Sequence, residues 1–443
     1  MKSDDKTTTR RSFLKDPARA GAALGVLSSL TASSFAEVLG ANDRLRIGVI
    51  GTGGRAMQLM DHLVPKPQEA VQGGIEQWKT KPVSGAHVVA VADVYEPHRN
   101  RAAAKAGPKT AKFDDYRKLL EQKDVEAVII AAPDHWHKQM LIDAVAAGKD
   151  VYVEKPVTHA LEEGPEEIQA VEKSGRIVQT GTQQRSWPHY VQGKQILGSG
   201  ALGVVRLVEA FWFMNYGPRG AMGKIPPKQT PPADLDWKAW LGSAPAQPFN
   251  QMKFRVWRQF WDFGGGNLAD LMTHAIETVH WYMECDTPAS AVGIGHAYDW
   301  PFECPDGLSC TLEYPKGFLV TYAGCHTMGM DFGSIIFRGS KATLEISRAA
   351  LALYEEDRGR GWPKFSRAER RWRPEPKLYV ESEYEGTADH LQNWLECIRS
   401  RKQPNADIRV GVAAARAAHI GNAALRSGKK VNWDDKQQTL TFV

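Results

Sequence analysis

The chain has 443 residues, too many for one compact core, so two domains with appendages are expected. Its 42% hydrophobic and 24% charged content is that of an ordinary globular protein, and no apolar run approaches the roughly eighteen residues of a spanning helix. The net charge of +5 is partly N-terminal: residues 1–36 carry six bases and three acids, which leaves about +2 beyond them and no electrostatic case for nucleic acid.

Residues 1–36 read as an export signal. Thr9-Arg10-Arg11-Ser12-Phe13-Leu14-Lys15 is a twin-arginine pattern, the bacterial address for exporting folded proteins. A small-residue-rich apolar segment follows from Ala18 to Ala36, and Ser34-Phe35-Ala36 offers a cleavage site. A disordered basic tail explains the charge but not the Phe-Leu-Lys. Residues 37–44 are then a linker and the protein is expected in the periplasm. Five cysteines without a C-x-x-C leave a single disulfide open, but indicate neither a disulfide framework nor a zinc site.

Leu45 to Ile50 reads as a buried strand running into Gly51-Thr52-Gly53-Gly54-Arg55-Ala56 and a helix from Met57 to Leu63. This is G-x-G-x-x-A between strand and helix: Gly51 for the tight turn, Gly53 for backbone approach to a pyrophosphate, Ala56 for helix–sheet packing. A strand from His87 to Ala92 ends in Asp93, an acceptor for ribose hydroxyls that repels a 2′-phosphate and so favours NAD over NADP. Asp93 comes 42 residues after Gly51 rather than about twenty, so Pro65 to Gly85 is expected to be a surface insertion. A helix from Pro97, a strand from Ala127 to Ala132, the turn Pro133-Asp134-His135-Trp136-His137 and a helix from Gln139 to Ala147 follow. The two histidines lack a third ligand nearby, so no metal is expected, and the turn is expected to line a nicotinamide. Val151 to Val153 then delivers Glu154-Lys155-Pro156, with Pro156 stiffening the turn that carries the amine. Alone, that tripeptide reads rather as a surface ion pair after a strand. A last helix and a strand ending at Thr180 complete a doubly wound parallel sheet over residues 45–182.

Beyond residue 182 a helix near Tyr190 to Leu197 precedes six strand-like runs: Val204–Phe213, Ser290–His296, Ser309–Tyr314, Phe318–Cys325, Ser334–Arg338 and Ala342–Ile346. Several alternate in polarity, as a sheet with one buried face requires. The Pro- and Trp-rich stretch Tyr216 to Pro248 is expected to shape a cleft rim, and Trp362 to Pro376 an exposed loop. Gly264-Gly265-Gly266 opens a helix to Met283 on which Asp270 and His274, four residues apart, share one face. Such a pair is often a cap or surface pair, but a histidine titrating near neutrality is also the natural base for alcohol oxidation. Arg185, Trp187, Trp257, Arg258 and Trp261 are weaker candidates for a sugar-binding rim, each tryptophan reading first as core packing. Two C-terminal helices, Tyr384–Ser400 and Val410–Ser427, end the second region, residues 183–443.

The glycine turn, Pro133-x-x-x-His137, Ala147-Gly148-Lys149, Glu154-Lys155-Pro156 and Asp270-x-x-x-His274 together resemble the glucose–fructose oxidoreductase/inositol dehydrogenase/MocA family. The resemblance runs from about residue 45 to the end. It implies an α/β fold: an N-terminal Rossmann domain, then an α/β domain with a large, open, mostly antiparallel sheet that often makes oligomer contacts. It implies NAD held by residues 51–56, Asp93, Pro133, His137, Glu154 and Lys155. It also implies roles: His274 takes the hydroxyl proton as hydride leaves to the nicotinamide, Asp270 orients substrate or imidazole, and Lys155 hydrogen-bonds the reacting oxygen.

The expected function is an exported NAD-dependent oxidoreductase acting on a carbohydrate or polyol hydroxyl, with the cofactor tightly held because free NAD is not expected outside the cytoplasm. The alternatives are a redox-neutral glycoside hydrolase similar to the NAD-dependent α-N-acetylgalactosaminidases, and a non-catalytic sugar-binding protein. As understood from the resemblance, a tyrosine replaces the aspartate in the hydrolase branch, so Asp270 leans toward a dehydrogenase.

Overall fold

Six short strands form one parallel sheet in the computed structural model, which describes residues 44–64, 82–215, 228–298, 301–330, 332–356 and 375–443. The export signal, nearly all of the linker and insertion, the first part of the Pro- and Trp-rich stretch and most of the Trp362 loop lie outside those residues. The strands are β1 (Leu45–Ile50), β2 (Ala86–Ala92), β3 (Ala111–Phe113), β4 (Ala127–Ile130), β5 (Asp150–Val153) and β6 (Val178–Thr180). Their order is β3-β2-β1-β4-β5-β6, every pair parallel. Both faces carry helices: α1 (Gly54–Leu63), α2 (Glu96–Ala106), α3 (Tyr116–Leu120), α4 (His137–Ala146) and α5 (Glu163–Ser174). Every residue of β4 and β5 is therefore buried, and apart from Asp150 at the start of β5 these strands read as apolar runs rather than alternating ones. Strand order reverses between β1 and β4, so the loops leaving them diverge and open a crevice at their carboxyl ends.

After α6 (Pro188–Gly198) comes β7 (Val205–Phe213), then two one-turn helices, α7 (Trp237–Leu241) and α8 (Gln251–Arg255), and the long helix α9 (Thr273–Met283). Strands β8 (Ser290–His296), β9 (Gly307–Tyr314), β10 (Phe318–Cys325), β11 (Gly333–Gly339), β12 (Ala342–Ile346), β13 (Ala350–Glu355) and β14 (Leu378–Glu381) follow. The chain ends with α10 (Thr387–Ser400), α11 (Ile408–Ser427), β15 (Val431–Asp434) and β16 (Thr439–Phe442). The second sheet has ten strands in the order β14-β13-β12-β11-β7-β10-β9-β8-β15-β16. Among the described residues, only β7 and β10 pair in parallel in this sheet. Four of its strands, β13 to β16, are absent from the sequence expectation. The outermost two, β14 and β16, are only partly buried and so lack an apolar run.

The two sheets share a helical layer. Helix α10 places Leu391, Trp394, Leu395 and Ile398 in one core with Ile47, Val49 and Leu59 of the first sheet and its α1 helix. Full burial of each such side chain contributes roughly 1.5–3 kcal/mol, so this late helix is a main support of the first domain. Helix α11 divides its apolar residues: Ile408 and Val412 face the first domain, while Ala417, Ala418, Ile420 and Ala424 face the second sheet. Its small residues permit that close fit. A Cβ on Gly411 would lie 2.4 Å from a Thr180 methyl.

Candidate active site

The crevice is built around a turn that only glycine can make. Gly51 has φ +76°, and a Cβ there would sit 2.5 Å from the backbone nitrogen of Ala132, at the end of β4. Gly53 and Gly54, by contrast, face open space, with no atom within 4 Å of an added Cβ. No side chain caps the first turn of α1, which carries no acid either. Its N–H groups and dipole therefore suit a pyrophosphate, and the residues present fit a dinucleotide. Asp93 braces the turn: Oδ2 accepts from Thr52 N (2.7 Å) and Thr52 Oγ1 (3.0 Å), and Oδ1 from Tyr95 N (2.9 Å). A carboxylate offers about four acceptor sites, so one remains for a ribose hydroxyl.

Arg55 and Glu154 join the glycine turn to the end of β5 through a 2.7 Å ion pair. Burial opposes the Arg55 charge, but Glu154, with smaller contributions from Tyr152 and Glu385, more than offsets it and raises the guanidinium pKa above its usual value. Gly181 makes room for the pair, since a Cβ there would lie 2.7 Å from the Glu154 carboxylate. His137, fully enclosed, points one ring nitrogen at Pro156 O (2.7 Å) and the other at Ala132 O (2.8 Å), tying the β4 turn to the Lys155–Pro156 turn. Pro133 directly precedes the single helical turn Asp134–Trp136 that leads into His137. Among the described residues no group of three His, Cys, Asp or Glu is placed to hold a metal. His135 instead bonds Trp240 O at 3.2 Å, under an aromatic roof that includes Trp240, Phe254 and Phe263.

Lys155 reaches across to the second domain. Its Nζ donates to both Oδ1 and the main-chain O of Asp270, each at 2.6 Å, and Arg258 Nε donates to the same Oδ1 at 3.1 Å. Burial alone would raise the Asp270 carboxyl, but the Lys155 ammonium and then the Arg258 guanidinium outweigh it and hold Asp270 well below the usual carboxylate range. Asp270 lies on a π-helical turn, Leu268–Met272, ahead of α9, where the sequence predicts an unbroken α-helix. The wider turn carries the aspartate out to Lys155, a use of π-turns common at functional sites.

His274 lies in the first turn of α9 and is 5% exposed. No hydrogen bond joins it to Asp270. Its Nδ1 instead meets Gln184 Oε1 at 3.1 Å. With the amide oxygen as acceptor, Nδ1 carries the proton and Nε2 keeps its lone pair. The ring stacks on Trp212, centroids 5.7 Å apart. Burial first, then the charges of Lys155, Arg348 and Arg55, push its pKa well below the usual histidine value, so the imidazole is neutral.

The other rim candidates lie differently. Arg185 is engaged by Glu277 at 2.5 Å on α9, against the Trp281 ring. Trp261 Nε1 bonds Glu303 O (3.1 Å), and Arg426 covers its ring. Arg258 lies 4.1 Å over the Trp257 ring, so Trp257 supports the arginine that holds Asp270. Trp187 is wholly core. Gln184, Trp212 and Arg348 were not singled out by sequence reasoning. Each has an ordinary local context, and its relation to His274 arises from elements far apart in the chain.

A crevice made for a dinucleotide, opposite a neutral histidine and a clamped lysine–aspartate pair, defines a two-domain nicotinamide-nucleotide oxidoreductase scaffold. Residues 45–182 match the Gfo/Idh/MocA oxidoreductase family's NAD-binding Rossmann fold and residues 210–299 its C-terminal alpha/beta domain, together just over half of the chain. The chain belongs to this family. Inositol 2-dehydrogenase 1 of Saccharopolyspora erythraea is 34% identical over 160 residues, 36% of this chain and 43% of that protein. The chain thus spans less than half the length of the curated relatives it matches. Myo-inositol 2-dehydrogenase from Lactobacillus plantarum shares the fold at TM-score 0.62 and 18% identity, over 88% of this chain and 99% of that one. Scyllo-inositol dehydrogenase from Lactobacillus casei, solved with NAD(H) and scyllo-inositol, gives TM-score 0.62 at 16% identity over 88% and 99%.

Proposed function

We propose that this protein is an NAD-dependent dehydrogenase of a carbohydrate or polyol hydroxyl. The observation that carries the proposal is the neutral, buried His274, held by Gln184 with Nε2 unprotonated, beside the Lys155–Asp270 pair at the carboxyl-end crevice. Relatives named as inositol 2-dehydrogenases point to the same substrate class.

NAD, when bound, supplies the hydride acceptor, and that chemistry belongs to the cofactor. His274 Nε2 takes the proton of the substrate hydroxyl. Lys155 gives two of its three N–H donors to Asp270 and the third to the reacting oxygen, where it stabilises developing negative charge. Asp270 acts on Lys155 rather than on the imidazole, and Arg258 keeps it ionised. His137 and the Arg55–Glu154 pair hold the loops that position the nicotinamide.

We extend the proposal to export by the twin-arginine route, supported by Thr9 to Lys15 and the apolar segment after it, and to a cofactor retained through dialysis. A homo-oligomer formed through the second sheet is supported by its uncovered face, where Val292, Ile294 and Leu319 are exposed.

The test is a panel of polyols, sugars and chromogenic glycosides offered to dialysed protein with and without added NAD. NADH formation from free hydroxyl substrates, lost in His274→Asn, is the expected result. Glycoside cleavage without net NADH would instead assign the redox-neutral hydrolase. Silence in every arm, with no NAD bound, would end the dehydrogenase reading.

A further inference from the structure

Arg348, just past β12, is the one charged group around His274 that the chemistry above leaves without a task. Its guanidinium lies 4.7 Å from the Trp212 ring and 5.8 Å from the Trp187 ring. It makes no hydrogen bond or ion pair among the described residues, and its Nε is sealed from solvent without an acceptor. The acids whose fields reach it are held elsewhere: Glu154 by Arg55, and Glu385 by Thr387 Oγ1. A cation in such a place keeps its charge at a cost that indole faces offset only in part.

The guanidinium borders a recess also lined by Gln184, Trp212, Phe332, Ser334 and Ser347. Gln184 is the residue that holds His274, so the recess starts one side chain from the base. Its free volume is about 10 Å³, the room of a single water and not of a sugar ring. None of its walls comes from the glycine turn, so the recess is set apart from the pyrophosphate end of the crevice.

Resting on the dehydrogenase reading, we infer that the substrate is a sugar acid whose carboxylate pairs with Arg348 at the mouth of this recess, leaving a ring hydroxyl at His274. A planar fork of N–H donors matches a carboxylate in two-point fashion, which an ammonium does not. Phe332 and Trp212 supply apolar walls that strengthen the pairing by excluding water.

The experiment measures binding to NAD-loaded full-length protein by calorimetry, and turnover by NADH formation, with D-glucuronate and D-galacturonate against D-glucose and D-galactose. Wild type is expected to bind an acid at least about tenfold tighter than its neutral partner, as a charged hydrogen-bonded pair implies. Arg348→Gln should abolish that preference and Arg348→Lys retain part of it, with NAD affinity within about twofold of wild type in both. Equal binding of acid and neutral sugar by wild type overturns the inference and needs no variant. So does a preference that survives in Arg348→Gln. Weakened NAD binding with unchanged acid binding also overturns it, and assigns the guanidinium to a cofactor phosphate. Oxidation of neutral sugars without acid preference leaves the dehydrogenase reading standing alone. Tight acid binding without NADH formation from any substrate keeps the carboxylate site and removes the dehydrogenase reading.

Discussion

The ammonium of Lys155 holds both the carboxylate and the main-chain carbonyl of Asp270, residues 115 apart in sequence, at 2.6 Å. The contact spans the two domains, and both side chains are only 12% exposed. Lys155→Met is expected to leave a buried carboxylate facing Arg258 alone, costing about 3 kcal/mol of stability. It should also lower kcat about a hundredfold or more through loss of the donor at the reacting oxygen. Lys155→Met with Asp270→Leu should be less destabilised than the two single changes added together, a coupling that denaturant titration of all four proteins measures.

Gln184 sets the tautomer of His274, so its replacement separates orientation from charge. Gln184→Leu is expected to reduce kcat about tenfold to a hundredfold with little change in KM. The base must be unprotonated, so activity falls as pH drops through the His274 pKa. In wild type that limb lies well below the usual value of about 6.5, because burial and Lys155 disfavour the imidazolium. Gln184→Glu places a negative charge against Nδ1 and should move the limb to higher pH. A kcat/KM profile from pH 4 to 9 reads the shift.

Glu167, on α5, is fully buried with neither carboxyl oxygen hydrogen-bonded, and burial raises its pKa well above the carboxylate range. Above about pH 4.3 the unfolded chain has released this proton while the folded chain keeps it, so stability falls as pH rises toward the folded pKa. Glu167→Gln should therefore stabilise the protein by at least about 1 kcal/mol at pH 8, with the gain shrinking toward zero near pH 4. Thermal unfolding of both proteins across that range checks the sign.

The glycine turn separates fold from cofactor. Gly51→Ala strains a positive φ and drives a Cβ into Ala132, so it should destabilise the apoprotein by about 1–3 kcal/mol and abolish NAD binding. Gly53→Ala meets nothing within 4 Å. Its apoprotein should melt within about 1 °C of wild type, since a surface change away from packing lies within about 0.5 kcal/mol. Its NAD affinity should nonetheless fall at least about tenfold. Unchanged affinity would show that the pyrophosphate does not approach Gly53.

Much of the architecture was legible because it is local. Strands β1, β2, β4, β5 and β6 alternate with helices, a glycine turn stands where the order reverses, and Glu154, Lys155 and Pro156 sit at a strand end, whereas the three-residue, largely exposed β3 left no signal. Each of these signals lies within a few residues of its consequence. The second sheet was legible where strands alternate in polarity and illegible at its edges, where β14 and β16 are four residues long and bury no side chain fully.

The amino-acid sequence by itself determined a Rossmann domain, its glycine turn, and the presence of a lysine, an aspartate and a histidine suited to hydroxyl chemistry. Only the tertiary structure decided what those three do to one another. It paired Lys155 with Asp270 and gave the orientation of His274 to Gln184, and it left Arg348 beside the base without an anion. It also brought α10, almost the last helix, back onto the first sheet. These outcomes rest on contacts between residues roughly 90 to 350 positions apart. Short-range periodicity records which face of an element is buried, but not which distant element buries it.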